Sequence, residues 1–213
     1  MLQFFKDFYR NSPFLAVFGT VLTVIVALIV TVDVWRWLRT DKEDIENNQL
    51  HRAFPVDLQK YKGTWHEIGS LPAPFQDECG CTTAEYGIRD DNMISVFNRC
   101  KTLDGGEQSI RGVAWSNNNE NTWLKVSFAG AILPEFARRT LEGAWPFSVA
   151  AGDYLILHVE PDYSVAMVGS PSRQAFWLLS RKKEMQQADF ERYMALARSK
   201  GYNTDKVRQT CVQ

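Results

Sequence analysis

TTAEYGIRDDNMISVFNR, residues 82–99, decides the fold. In Ala84-Glu85-Tyr86-Gly87-Ile88 the apolar side chains Ala84, Tyr86 and Ile88 fall at every second position, and Val96 and Asn98 share one face of the run that follows. The two runs, 82–89 and 93–99, meet across Asp90-Asp91-Asn92, residues whose side chains favour a turn. A period of two marks strands with one face buried and one wet, so this stretch reads as an antiparallel hairpin.

The same pattern extends in both directions. Residues 63–71 form an earlier strand-like run, and 109–115 and 122–128 are separated by Ser116-Asn117-Asn118-Asn119-Glu120. Leu124, Val126 and Phe128 alternate with Lys125 and Ser127. Residues 154–160 and 163–169 flank Pro161-Asp162, and 174–181 follow Ser170-Pro171-Ser172-Arg173. About eight strands in series, joined mostly by short turns, point to an all-β up-and-down barrel or a sandwich. Residues 186–200 differ: Phe190, Tyr193, Met194 and Ala197 recur at helical spacing and Gly201 supplies a stop, so one amphipathic helix follows the last main strand.

The N-terminal part has another character. Residues 11–32 carry no charge and are almost wholly apolar from Phe14 onward. About 20 helical residues cross a hydrocarbon core of roughly 30 Å, and Trp35, Arg36, Trp37 and Arg39 follow as an interfacial belt. The exit through Asp33 and Trp35 makes a poor signal-peptidase site, and no Cys follows the apolar run, so residues 1–40 are expected to be an uncleaved single-pass transmembrane anchor. Residues 41–53 read as a polar linker and 54–213 as the barrel domain. Basic residues on both sides of the apolar run leave the orientation undecided. All four Cys lie in the body, which favours disulfides and an oxidising compartment, and the body is therefore expected on the non-cytoplasmic side, the periplasm in a bacterium. Cys79 and Cys81 point the same way in a strand and need separate partners, so Cys100 and Cys211 take one each in either of two pairings.

Three short motifs add a resemblance. Gly63-Thr64-Trp65, after Val56-Asp57-Leu58-Gln59-Lys60-Tyr61, resembles the first lipocalin motif. Pro161-Asp162-Tyr163 resembles the second, and Ser180-Arg181 at the end of a strand resembles the third. In this order, across eight strands and before a helix, they resemble the lipocalin family, closest to its bacterial lipocalin and apolipoprotein D branch, from about Phe54 to the C-terminus. The resemblance implies an eight-stranded antiparallel barrel in which Trp65 closes the narrow end and Arg181 packs over its ring. Gly63, Trp65, Asp162, Tyr163 and Arg181 would then be structural. It also implies the pairing Cys79–Cys100 and Cys81–Cys211.

An eight-stranded barrel has room for one small ligand, and removing an alkyl chain from water yields about 0.8 kcal/mol per CH₂. The expected lining is Ala84, Tyr86, Ile88, Val96, Leu124, Val126 and Phe128, with Asn98 placed for a polar head group; Tyr154 and Trp177 join them from later strands whose facing the sequence leaves open. The expected ligand is a fatty acid, a lysophospholipid or a similar lipid, held at the membrane for storage or transport. A tethered protein-interaction module is the competing class. Three His in no nucleophile or metal setting, with no G-x-S-x-G, H-E-x-x-H or glycine-rich phosphate loop, make no case for an enzyme; a lipid-modifying catalyst is the least favoured reading. No cofactor or metal is expected, since Cys79-x-Cys81 lacks the usual zinc spacing. A net charge of −1 gives no electrostatic footprint for nucleic acid. The long connection 129–153 is expected to be a lid or membrane-contacting loop, or else an insertion packed on the barrel's flank.

Overall fold

Two-residue alternation on both sides of a turn dictates a paired ladder, and in the computed structural model β2 (Cys79–Ile88) and β3 (Ile94–Thr102) pair antiparallel from Cys79↔Thr102 to Ile88↔Ile94. Asn92 takes the left-handed turn conformation at φ 62°, one that Asn tolerates better than most residues. The structure describes residues 53–73, 76, 78–128 and 151–211. The expected anchor 1–40, the linker up to residue 52 and the connection 129–150 lie outside the described residues. Among the described residues no helix is long and apolar enough to cross a membrane.

The remaining strands are β1 (Gly63–Ser70), β4 (Glu107–Ser116), β5 (Trp123–Ser127), β6 (Gly152–Val159), β7 (Val165–Gly169) and β8 (Phe176–Ser180). Neighbours in sequence pair antiparallel from β1 through β8, and β8 returns to pair with β1, so the sheet closes. The fold is thus an eight-stranded up-and-down antiparallel barrel. The two-residue β9 (Arg208–Gln209) adds to β1 outside that ring. Closure removes the exposed edges that an open sheet would offer for aggregation.

Strand direction sorts the connections to two ends. The turns 89–93, 117–122 and 160–164 lie at the end where β1 begins; the C-terminal end of β1, the start of β2 and the connections 103–106 and 170–175 lie at the other. The first end is sealed by a short helix, α1 (Leu58–Tyr61), whose N-terminus is capped by Asp57 accepting from the Gln59 N–H at 2.8 Å. Trp65 is fully buried there, and its Nε1–H donates to the Tyr61 carbonyl at 2.8 Å. The Arg181 guanidinium lies 3.7 Å from the Trp65 ring centroid and donates to the carbonyls of Lys60, Tyr61, Lys62, Thr64 and Tyr163. A cation on an indole face is worth about 0.5–2 kcal/mol, and here its donors are spent on otherwise orphaned carbonyls. Tyr163, at φ 57° in the β6–β7 turn, accepts through its hydroxyl from the Asp57 N–H at 2.9 Å.

Two apolar clusters lie on opposite sides of the sheet. One fills the lower barrel around Trp65, Tyr86, Leu124 and Ile156. The other lies outside, where α2 (Gln187–Ser199) presses Phe190, Tyr193, Met194 and Ala197 onto Leu155, Leu157, Met167 and Leu178. The mouth end is held covalently: Cys79 is bonded to Cys100 with Cα atoms 5.5 Å apart, and Cys81 to Cys211 at 4.8 Å.

Candidate functional site: the barrel interior

The register places the expected lining residues on one surface. Tyr86 stands opposite Val96, Ala84 opposite Asn98, Ile88 opposite Ile94, and Leu124 opposite Tyr154. Ala84, Tyr86, Val96 and Leu124 are buried in the interior cluster, while Ile88, Val126, Phe128, Tyr154 and Trp177 pack against it half-buried. Trp177, whose facing the sequence left open, stands opposite Val168 and belongs to the interior cluster, not the outer one. Phe128 lies over Gly112, where a Cβ would meet its ring at 2.6 Å, so the absence of a side chain at Gly112 makes room for that aromatic. Towards the mouth the same face carries Ile110, opposite Asn98 and 43% exposed.

Three tyrosines meet inside. The Tyr154 hydroxyl is 2.9 Å from that of Tyr61 and 3.0 Å from that of Tyr86. Burial raises all three hydroxyls above their ordinary range, Tyr86 to about 12, so each keeps its proton at any physiological pH. Two hydrogen bonds among three hydroxyls consume two protons, which leaves one O–H unspent whichever way the chain of donation runs.

Nearer the mouth is a second polar group that periodicity alone did not flag. Glu67, two positions beyond Trp65 and so on the same face, is 3% exposed. Its Oε1 accepts from Ser70 Oγ at 2.7 Å and its Oε2 from Gln76 Nε2 at 3.2 Å, while Gln76 Oε1 accepts from Trp177 Nε1 at 3.1 Å. Burial holds the Glu67 carboxyl above its ordinary range, and the hydrogen bonds from Ser70, Gln76 and Thr82 offset part of that rise. Between the two groups sits Asn98, whose Oδ1 is buried and accepts no hydrogen bond. An orphaned buried acceptor costs about 1–3 kcal/mol, and few native groups are left so.

The strands bring no basic side chain into this space. His66, Arg99, Lys101, Arg111 and Lys125 occupy the alternate, outward positions of β1, β3, β4 and β5. His158 turns to the outer layer, with its ring 6.1 Å from that of Tyr193. A separate surface pocket of about 430 Å³ at the sealed end is lined by Lys60, Pro161, Asp162, Tyr163 and Arg181, of which Arg181 is already committed to carbonyls.

A closed barrel with a plugged base, an Arg over a Trp and an apolar interior has counterparts. A family model described as a lipocalin-like domain matches residues 56–211. The chain belongs to the lipocalin family. Temperature-induced lipocalin-1 of Arabidopsis thaliana is 31% identical over 169 residues, covering 78% of this chain and 84% of the plant protein. The outer membrane lipoprotein Blc of Vibrio cholerae is 29% identical over 154 residues, 71% of this chain and 80% of its own. Among solved structures, insecticyanin from the tobacco hornworm Manduca sexta superposes with a TM-score of 0.54 at 18% identity, covering 76% of this chain and 84% of that one, a likeness of fold alone. Lipocalins generally bind small hydrophobic molecules, and the Gly63-Thr64-Trp65, Asp162-Tyr163 and Arg181 positions of this lipocalin all lie at the sealed base, away from the mouth.

Proposed function

We propose that this lipocalin binds one small hydrophobic ligand, a fatty acid, lysophospholipid or similar lipid, in the upper half of its barrel, and stores or transports it at a membrane. The observation that carries the reading is the change along the interior. At the base Trp65 and Ile156 are fully buried, with Ile88 half-buried beside the turn, whereas towards the mouth Val126, Phe128 and Trp177 are only part-buried and Ile110 is exposed. Apolar side chains left partly uncovered inside a closed sheet are the lining a ligand completes.

The apolar run 11–32 supports a single-pass tether, with the barrel on the non-cytoplasmic side, where its two disulfides are stable. Related proteins named as outer membrane lipoproteins agree with a place at a membrane. Binding rather than catalysis is supported by an interior that is largely apolar, its described polar groups being tyrosine, serine and threonine hydroxyls, amides, the Trp177 N–H and one acid. Native mass spectrometry of the full-length chain, released from detergent, tests the proposal. A mass increment of one acyl-chain-containing molecule, identified after solvent extraction, is the expected result. A ligand-free barrel that co-purifies with a stoichiometric protein partner would favour the interaction module instead.

A further inference from the structure

The interior's hydrogen-bonding groups are mismatched in a way that specifies a chemical complement. Asn98 Oδ1 is a buried acceptor with no donor. The tyrosine group of Tyr61, Tyr86 and Tyr154 holds one donor proton with no acceptor. Asn98 and Tyr86 are diagonal neighbours on adjacent strands, since Asn98 stands opposite Ala84 and Tyr86 opposite Val96, and such diagonals lie within reach of long side chains and of a shared ligand. Apart from the tyrosines, the described ionisable side chains beside this space are the acid Glu67 and, behind the Trp65 ring, Arg181, whose donors are spent on carbonyls; the strand cations face outward.

Resting on the carrier reading above, we propose that the polar group this barrel takes inside is an uncharged hydroxyl, as in a long-chain alcohol or a monoacylglycerol, which donates to Asn98 Oδ1 and accepts the unspent tyrosine proton. A hydroxyl satisfies both orphans at once. An ether oxygen satisfies only the tyrosine. A carboxylate or phosphate entering head first brings no proton for Asn98, sets a negative charge in the same low-dielectric space as Glu67, and meets no cation with a free donor, since Arg181 is spent on carbonyls behind Trp65. An anionic lipid would therefore bind tail first, with its head group at the mouth.

The test uses the full-length chain in amphipol and three labelled C16 probes at pH 8: 1-hexadecanol, its methyl ether, and palmitate. The alcohol is expected to bind about tenfold more tightly than the ether, equivalent to about 1.4 kcal/mol, and more tightly than palmitate. In Asn98→Leu the alcohol is expected to fall to within twofold of the ether, with palmitate unchanged; in Tyr86→Phe, which removes the hydroxyl diagonal to Asn98 and leaves the unspent proton on the Tyr61–Tyr154 pair, the alcohol is expected to weaken severalfold. Equal binding of alcohol and ether by the native protein, or an alcohol preference that survives both substitutions, would overturn the hydroxyl assignment while leaving the carrier intact. Failure of all three probes to bind would overturn the carrier reading and this assignment with it.

Discussion

The two ends of the barrel are held by different means. At the base the Arg181 guanidinium serves five carbonyls, Trp65 Nε1 donates to the Tyr61 carbonyl, and the Trp65 and Tyr61 rings are buried. Towards the mouth, apolar side chains remain half-covered, Asn98 Oδ1 is unpaired and Glu67 is a buried acid, yet the strands there are pinned by two disulfides. The contrast teaches that cohesion is concentrated at the base, so the upper interior can keep unsatisfied groups without loosening the fold. Covalent cross-links at the mouth accompany the looser packing of the half-buried apolar side chains there.

If that division is right, substitutions at the two ends should fail differently. The largest effect is expected from Cys81→Ser with Cys211→Ser. That bond closes a separation of 130 residues against 21 for Cys79–Cys100, and the chain-entropy model assigns it about 5 kcal/mol against about 3. Urea denaturation of the two double variants should rank them in that order. Trp65→Ala comes next, at about 4 kcal/mol for an aromatic cavity in a packed core, or a fall in Tm of about 10 °C for a chain of this size. A Trp65→Ala protein as stable as the native one would refute the base as the seat of cohesion.

Glu67→Gln should have the smallest effect, and one that depends on pH. Burial raises the folded carboxyl above its unfolded value. Its contribution to stability is therefore fullest at acid pH and is lost as pH climbs through the raised value. The variant should match the native protein near pH 4 and gain on it in Tm towards pH 8. A constant offset across that range would show that Glu67 is not held as a strained acid.

The hairpin 82–99 was legible because its outer face is wet: Glu85, Ser95 and Arg99 alternate with Tyr86, Val96 and Asn98, so period two shows through. The sealed base was legible through three motifs. The later strands were not, and the reason is physical. In β6 to β8, α2 covers the outside, so Leu155, Leu157, Met167 and Leu178 are buried on one face while Ile156, Val168 and Leu179 are buried on the other. With both faces dry, alternation disappears, and Trp177 could be placed only by its partners. Glu67 shares the parity of Trp65 and was open to the same counting, but its polarity disguised it as an outward residue. Tyr61 and Gln76 reach the interior from a helix and a connection, where no strand period applies.

If the upper interior is a lined hollow and not a solid plug, filling it should displace the ligand without straining the fold. Val126 faces inward, half-buried, beside Ala114 and Gly152. In Val126→Trp, thermal unfolding and native mass spectrometry are read on the same preparation. The co-purifying ligand is expected to be lost with Tm nearly unchanged, because the indole occupies the ligand's space. A loss of about 1–3 kcal/mol, as overpacking a filled core gives, with no ligand present in either protein, would contradict it.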